Sequence, residues 1–415
     1  MSAARHIVII NDASVAQGGA TMLAIQSAQL LRRRGLEVTF VCGDRGENES
    51  LIADGIRVIA LGGERLETAP RSTVALSAMY NRRALAMMRG MIAEVDGPRT
   101  VYHVHGWAQI LSPAVFDALA PVARRCFVHA HDYFLACPNG GYFDFQRSEG
   151  CPRQPLSPSC LVTACDRSSN LHKAWRLART ALLRRTFHRI EDWAAVLMIN
   201  EEMREKLQRG GVAPHLLREL RNPARRLTPE RVRVEQNGTF CFLGRPAKGK
   251  GLGLLLAAAR EVGVQVKVIG DMSSRPDLLE AYPEVMNTGW IPQSELAPHL
   301  QDIRALVLPS RSPEPFGLVL AEAACAGLPL VVSDSALLST GIEAQELGLS
   351  FKANSQSALA EALRKMADMP AAVIAKISRN GFLAQHSLAC THEAWIEQLV
   401  VNYDAAVSPT SAVPA

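Results

Sequence analysis

The stretch Pro309-Ser310-Arg311-Ser312-Pro313-Glu314-Pro315-Phe316-Gly317-Leu318-Val319-Leu320-Ala321-Glu322 carries the densest candidate chemistry of the chain. Two carboxylates, Glu314 and Glu322, flank a Pro-Phe-Gly turn with seven residues between them. The apolar run 305–308 ahead of it reads as a buried strand, and a helix is expected to start near Phe316 or Gly317. Glu314 then lies in the loop, and Glu322 about a turn and a half into the helix. Ligands of open α/β sheets bind beyond the carboxyl ends of strands, and a helix N-terminus offers free N–H groups to phosphate. A carboxylate placed there can accept hydrogen bonds from a ribose diol. A second Gly-rich turn, Gly244-Arg245-Pro246-Ala247-Lys248-Gly249-Lys250-Gly251, also follows a strand-like run. Arg245 and Lys250 would flank any diphosphate held nearby and stabilise the charge that grows on a departing phosphate. Taken singly, each segment reads as a surface loop or a solvated basic turn; together they point to a bound nucleotide. The glycines match neither a dinucleotide fingerprint nor a Walker loop.

Weaker signals stand in the first half. Gln17-Gly18-Gly19 follows the run Ile7 to Ile10, and His131-Asp132 follows Cys126-Phe127-Val128-His129. Of His103 and His105, one is expected to point into the sheet, with His105 favoured at the crevice. Asn222-Pro223 reads as structural. Cys137, Cys151, Cys160 and Cys165 fall within 29 positions of a Pro/Gly-rich insertion, 136–167. They could hold a tetrahedral zinc, but no CxxC knuckle is present and ordinary thiols are the plainer reading. The segment Lys173 to Arg189 holds six Lys/Arg interleaved with apolar residues. That is either a domain helix with a solvated basic face or an attachment to anionic lipid.

The elements that must position these groups follow from periodicity. Apolar runs alternating with helical patterns at 7–10, 38–41, 101–104, 126–129, 195–199, 239–243, 266–270, 305–308 and 328–333 predict two doubly wound parallel sheets. The chain has 415 residues, 48% hydrophobic and 20% charged, enough for two full cores and too apolar for disorder. The Pro-punctuated stretch 218–237 marks the hinge. The expected division is an N-terminal Rossmann-like domain over 1–220, a C-terminal one over 221–385, and a C-terminal helix within 386–415 packing back toward the first, with a frayed tail from Ser408. A net charge of +5 is too mild to imply nucleic-acid binding. No apolar run reaches the ~18–20 residues that span a bilayer, and no signal-peptide core is evident, so a cytoplasmic protein is expected. Nine cysteines then argue for reduced thiols or a metal site over disulfides.

These motifs resemble glycosyltransferase family 4, the retaining nucleotide-sugar transferases of the GT-B fold. The likeness covers most of the chain and is carried by Gly244-Arg245 through Lys250-Gly251, Gly289-Trp290-Ile291-Pro292, and Glu314 through Glu322. The resemblance implies two Rossmann-like domains facing across a cleft, with the donor mainly on the second and the acceptor entering along the first. It puts Arg245 and Lys250 on the donor diphosphate, Glu314 on the donor sugar and Glu322 on the ribose. The backbone of Phe316, Gly317 and Leu318 would meet phosphate oxygens, Gly18 and Gly19 would close over donor and acceptor, and His131-Asp132 would be the active-site pair. The loop Asp334-Ser335-Ala336-Leu337-Leu338 departs from the commoner Gly-rich form. The implied catalytic set is Glu314, His131, Arg245 and Lys250. The implied reaction is retaining transfer from a nucleoside-diphosphate sugar to a glycan or lipid-linked acceptor, in polysaccharide or glycoconjugate synthesis. Same-face attack would be assisted by the leaving diphosphate. No DxD-like cluster is seen, so no metal cofactor is expected for the reaction. The expected partners are the donor and acceptor, with peripheral contact at an anionic inner membrane face if the acceptor is lipid-linked, and no nucleic acid. A GT-B sugar-nucleotide epimerase and a non-catalytic nucleotide-sugar binding protein are the competing readings.

Overall fold

A computed structural model describes residues 2–16, 18–66, 71–383 and 388–408. Gln17 of the glycine loop, residues 386–387 and the tail after Ser408 lie outside the described residues. The strands in chain order are β1 (His6–Asn11), β2 (Glu37–Cys42), β3 (Arg57–Ala60), β4 (Thr100–Val104) and β5 (Cys126–Ala130). A short pair, β6 (Phe143–Asp144) and β7 (Glu149–Gly150), precedes β8 (Ala195–Met198) and β9 (Leu217–Glu219). Then come β10 (Thr239–Leu243), β11 (Val266–Ile269), β12 (Met286–Gly289), β13 (Ile303–Leu308), β14 (Leu330–Ser333) and β15 (Gly348–Phe351).

They form a seven-stranded sheet, β3-β2-β1-β4-β5-β8-β9, and a six-stranded sheet, β12-β11-β10-β13-β14-β15. All pairings within the two sheets are parallel. β6 and β7 pair antiparallel on their own. The inner strands β1, β4, β5, β8, β13 and β14 are buried along their whole length. Helices cover both faces of such sheets, which is why these strands read as continuous apolar runs. The expected class, two Rossmann-like α/β domains, is the observed one.

The chain divides into two compact units. The first comprises Met1–Tyr142, Cys151–Leu220 and Glu393–Ala415; the second comprises Phe143–Gly150 and Arg221–His392. Within the first, the helix His392–Val407 contributes to the core beneath β4 and β5. Its Trp395 and Tyr403 are buried, the Tyr403 ring packs 5.3 Å from Phe127, and Asp404 accepts from Ser2 Oγ at 2.6 Å and from Ala4 N–H at 2.9 Å.

The basic segment needs correction. The helix Asn170–Thr186 does not present its cations to solvent as one stripe, because Lys173 and Arg179 are buried. Arg179 lies between the rings of Trp107 and Trp175, at 5.2 and 5.5 Å, and Arg176 pairs with buried Asp166 at 3.0 Å. Arg184 donates to the Pro155 carbonyl at 3.1 Å, which leaves Arg185 and Arg189 exposed. At about 1 kcal/mol per cation near an anionic surface, two residues make a weak lipid anchor.

Candidate functional site

In each sheet the strand order reverses at one point, beside β1 and β4 in the first unit and beside β10 and β13 in the second. Chain segments leaving neighbouring strands in opposite directions open a crevice at their carboxyl ends. In the second unit the two candidate loops leave β10 and β13 at that point. They interlock: Arg311 N–H donates to Gly249 O at 2.8 Å, and the Pro309 carbonyl presses against Gly251. A Cβ on Gly251 would lie 1.8 Å from that carbonyl, and its φ is +73°, so both space and backbone select glycine.

The interlock brings Lys250 to Glu314, and their side chains form an ion pair that keeps partial exposure. The backbone of Glu314 is pinned from the other side, where Glu314 N–H donates to Ser335 O at 3.3 Å and Leu337 N–H to Glu314 O at 3.1 Å. Ser335 Oγ adds a bond to the Ser310 carbonyl at 2.9 Å. The departure at 334–338 therefore serves as a clamp on the Glu314 loop. Arg245 is exposed, and among the described residues its guanidinium has no protein partner.

Gly317 caps the helix Leu318–Cys325 with φ +68°. No acidic residue occupies the first turn, and its N–H groups and positive dipole end face the loop that carries Glu314. Glu322, one turn on, sits largely buried, accepting from Gln293 Nε2 at 2.8 Å with Arg225 Nε 4.0 Å away. Burial pushes its carboxyl up to about 7, and the Arg225 charge only partly offsets this. Beside it a cavity of about 470 Å³ is lined by Arg225, Thr228, Gln293 and Ser294, among others. Arg225 and Gln293 were not expected from sequence; their signals were an Arg just after Asn222-Pro223 and a polar residue just after Trp290-Ile291-Pro292.

Glu322 carries a testable consequence for stability. The folded protein holds this proton up to about 7, whereas the unfolded chain releases it near 4.5. Between those values the folded state binds more protons, so stability is full below the lower one and is lost as pH rises through the upper. The difference corresponds to roughly 3 kcal/mol. In urea unfolding at pH 5 and pH 8, the wild type should lose about that much, and Glu322→Gln should lose markedly less. Equal losses in both proteins would show that the side chain is ionised throughout.

In the first unit Gly18, Gly19, His105 and His131 lie just beyond the carboxyl ends of β1, β4 and β5, on both sides of the switch point. Gly18 is the N-cap of the helix Gly19–Arg33 with φ −176°, ordinary extended backbone, and a Cβ there would meet nothing within 4 Å. Asp12, at the end of β1, accepts the backbone N–H groups of Gln109, Ile110 and Leu111 at 2.7–2.8 Å and so ties down the loop after β4.

His131 belongs to a group of four imidazoles. Alternate residues of a strand share a face, which places His103 with His105 and His129 with His131. The rings of His129 and His131 stack at 4.3 Å and those of His103 and His105 lie 4.1 Å apart. His105 Nδ1 and His131 Nε2 are hydrogen-bonded at 3.1 Å, and His103 Nδ1 bonds Tyr403 Oη at 2.6 Å. Burial holds all four well below the usual imidazole range, His131 at about 3, so they are neutral at physiological pH. Asp132 is pushed up to about 6, mainly by burial and further by the Asp12 charge. The pattern His-x-His on two neighbouring strands was the available signal for this cluster.

Residues 237–369 match the family described as Glycosyl transferases group 1. A glycogen synthase of Mycobacterium tuberculosis is 27% identical over 271 residues, 60% of this chain and 62% of that enzyme. The matched stretch thus spans less than two thirds of that relative's length. The sucrose-phosphate synthase structure from Thermosynechococcus elongatus superposes with a TM-score of 0.70 at 18% identity, over 97% of this chain and 98% of that one. Anabaena HepE in complex with UDP-glucose gives 0.66 at 15% identity, over 96% and 99%. The structural likeness is one of fold: two Rossmann-like domains of the kind found in GT-B glycosyltransferases. The family match falls on the second unit and includes Arg245, Lys250, Glu314, Phe316, Gly317, Leu318 and Glu322.

Proposed function

We propose that this protein is a retaining glycosyltransferase of family 4 type, moving a sugar from a nucleoside-diphosphate sugar to a glycan or lipid-linked acceptor. The observation that carries the reading is the joining of Lys250, Glu314 and the Gly317-capped helix at a sheet switch point, inside the segment that matches the transferase family. In this reading the diphosphate lies over the helix N-terminus, with oxygens on the backbone of Phe316, Gly317 and Leu318 and cations from Arg245 and Lys250. The ribose hydroxyls donate to Glu322, and the nucleoside extends into the adjacent cavity toward Arg225 and Gln293. The sugar faces Glu314.

Retention follows if the acceptor hydroxyl attacks from the face that the diphosphate leaves. The acceptor proton passes to a departing phosphate oxygen as the glycosidic bond forms and the sugar–phosphate bond breaks. Arg245 and Lys250 then stabilise the charge on the diphosphate as it grows. His131, neutral and held by His105, is the catalytic group assigned from the first unit, alongside the glycines at 18 and 19. HepE was solved with UDP-glucose, and uridine donors are accordingly the first to try.

Thermal denaturation should show the full-length protein stabilised by one nucleoside diphosphate and its sugar above the others, because a ligand that binds only the folded state raises its stability by mass action. At a hundredfold excess over Kd the gain is about 2.7 kcal/mol. No shift with any uridine, adenosine or guanosine diphosphate would overturn the donor assignment. Turnover of the donor to a second nucleotide-sugar without acceptor would make the enzyme an epimerase.

A further inference from the structure

Cys137, Cys151, Cys160 and Cys165 line one enclosed cavity of about 20 Å³ in the first unit, together with Arg153 and Lys173. All four are free thiols. A space of this size takes a single water-sized occupant. The sulfurs reach it from separate elements. Cys137 opens a turn closed by Gly140 N–H to Cys137 O at 2.9 Å, and Cys151 N–H donates to Tyr142 O at 2.7 Å. Cys160 lies on the helix Pro158–Val162, and Cys165 follows it.

Lys173 shows what the cavity lacks. It is 5% exposed, and its ammonium donates to the carbonyls of Cys160 and Thr163 and toward Cys165 Sγ, 3.4 Å away. Among the described residues no carboxylate lies within ion-pair distance of it. A buried cation is stabilised by an anionic partner; the carboxylate of Asp166 lines the same cavity but is paired with Arg176 at 3.0 Å, and the sulfur that Lys173 reaches is that of Cys165. Arg153 Nη1 stands 3.7 Å from Cys151 Sγ, and Asn139 bridges two more of the sulfurs, its Nδ2 lying 3.7 Å from Cys165 Sγ while its Oδ1 accepts from the Cys137 thiol at 3.1 Å. Two of the four sulfurs, those of Cys151 and Cys165, are therefore faced by N–H donors, the kind of outer bond that holds and neutralises metal-bound thiolates.

We propose that Cys137, Cys151, Cys160 and Cys165 form a structural site for one zinc-class divalent cation, with Lys173 and Arg153 as its outer hydrogen-bond donors. Four thiolates and one dication leave a net charge of two minus, which those two cations offset. Coordination releases the four thiol protons to solvent. Among the described residues no three of these sulfurs lie within 4.8 Å of one another. A Zn–S bond of ~2.3 Å sets sulfurs ~3.8 Å apart in a tetrahedral shell, so capture of the ion draws the loop inward.

The buried set His103, His105 and His129 offers ligand atoms within 4.8 Å of one another. It brings three neutral imidazoles and no negative charge to a dication, and the His103 and His129 rings lie nearly parallel, at 13°. Charge balance favours the sulfurs. The inference does not rest on the transferase reading, since either can fail alone.

Elemental analysis of full-length protein, purified without chelator from zinc-replete cells, should give about one zinc per chain. Four thiols should resist Ellman's reagent until chelator is added, and cobalt(II) exchange should produce sulfur-to-metal charge-transfer absorption. Cys151→Ser and Cys160→Ser should each lower bound zinc at least tenfold, while Cys390→Ser and His129→Gln retain it. Should the serine variants fail to fold, the wild-type cobalt spectrum and thiol titration decide. Less than about a tenth of a zinc with four reactive thiols would overturn the proposal. So would zinc that is lost with His129→Gln and kept in the cysteine variants.

Discussion

Glu314→Gln is expected to lower turnover by ~10²–10³ while nucleoside-diphosphate affinity holds or rises, the size of effect seen when one preorganised group facing developing charge is removed. The reason lies in the Lys250–Glu314 pair. With no donor bound, the lysine is held by the carboxylate; glutamine keeps the shape, removes the charge and releases Lys250 to the diphosphate. Glutamine cannot match the carboxylate's stabilisation of positive charge on the sugar as the leaving group departs. Glu322→Gln should behave in the opposite way. Its carboxyl lies in the helix beside the nucleoside-sized cavity, so its loss weakens nucleotide and donor binding together and leaves kcat less affected, the signature of uniform binding. Calorimetry with nucleoside diphosphate beside kcat for both variants separates the roles. Loss of nucleotide affinity in Glu314→Gln with loss of turnover alone in Glu322→Gln would reverse the assignment.

Lys250→Ala should cut transfer by ~10²–10³ through the lost stabilisation of the departing diphosphate. Arg245→Ala should act in the same direction, since among the described residues its exposed guanidinium is bound to no protein group. Folding should survive both changes. The Lys250–Glu314 pair is partly exposed, with side-chain exposures of 40% and 21%, and such pairs contribute only ~0.2–1 kcal/mol to stability. A circular dichroism melt within a few degrees of wild type, with activity nearly abolished, is the expected pattern. Full activity in the double variant would remove both cations from the reaction.

How much of this could be read in advance depended on burial. The strands expected from sequence were β1, β2, β4, β5, β8, β10, β11, β13 and β14, all interior to their sheets. Those missed in the two large sheets were β3, β9, β12 and β15, which are their four outer strands; the short pair β6 and β7 was missed as well. A parallel strand covered on both faces must be apolar throughout and announces itself, whereas an edge strand is half exposed and mixed in composition. β3 and β12, with exposed or half-exposed residues along their length, show this directly.

The basic helix failed for a related reason. Lys173, Arg176 and Arg179 look like a solvated face in sequence because charge normally faces water. Nothing local reveals that Cys165, Asp166 and two tryptophans wait on the inner side. The four-imidazole cluster was hidden likewise, since each His-x-His pair is unremarkable until the order β4-β5 sets them side by side.

Sequence by itself determined the fold class and the two loops that carry the candidate chemistry, because apolar periodicity and glycine punctuation are local and their meaning survives without partners. Tertiary structure decided which of those groups meet. Lys250 and Glu314 stand 64 positions apart, and they pair because β10 and β13 are adjacent at the switch point and Gly251 lets one loop pass against the other. Four cysteines separated along the chain share one cavity for the same kind of reason. Side-chain chemistry is written residue by residue, but proximity across long loops, and the charge state that burial then imposes, exist only in the folded chain.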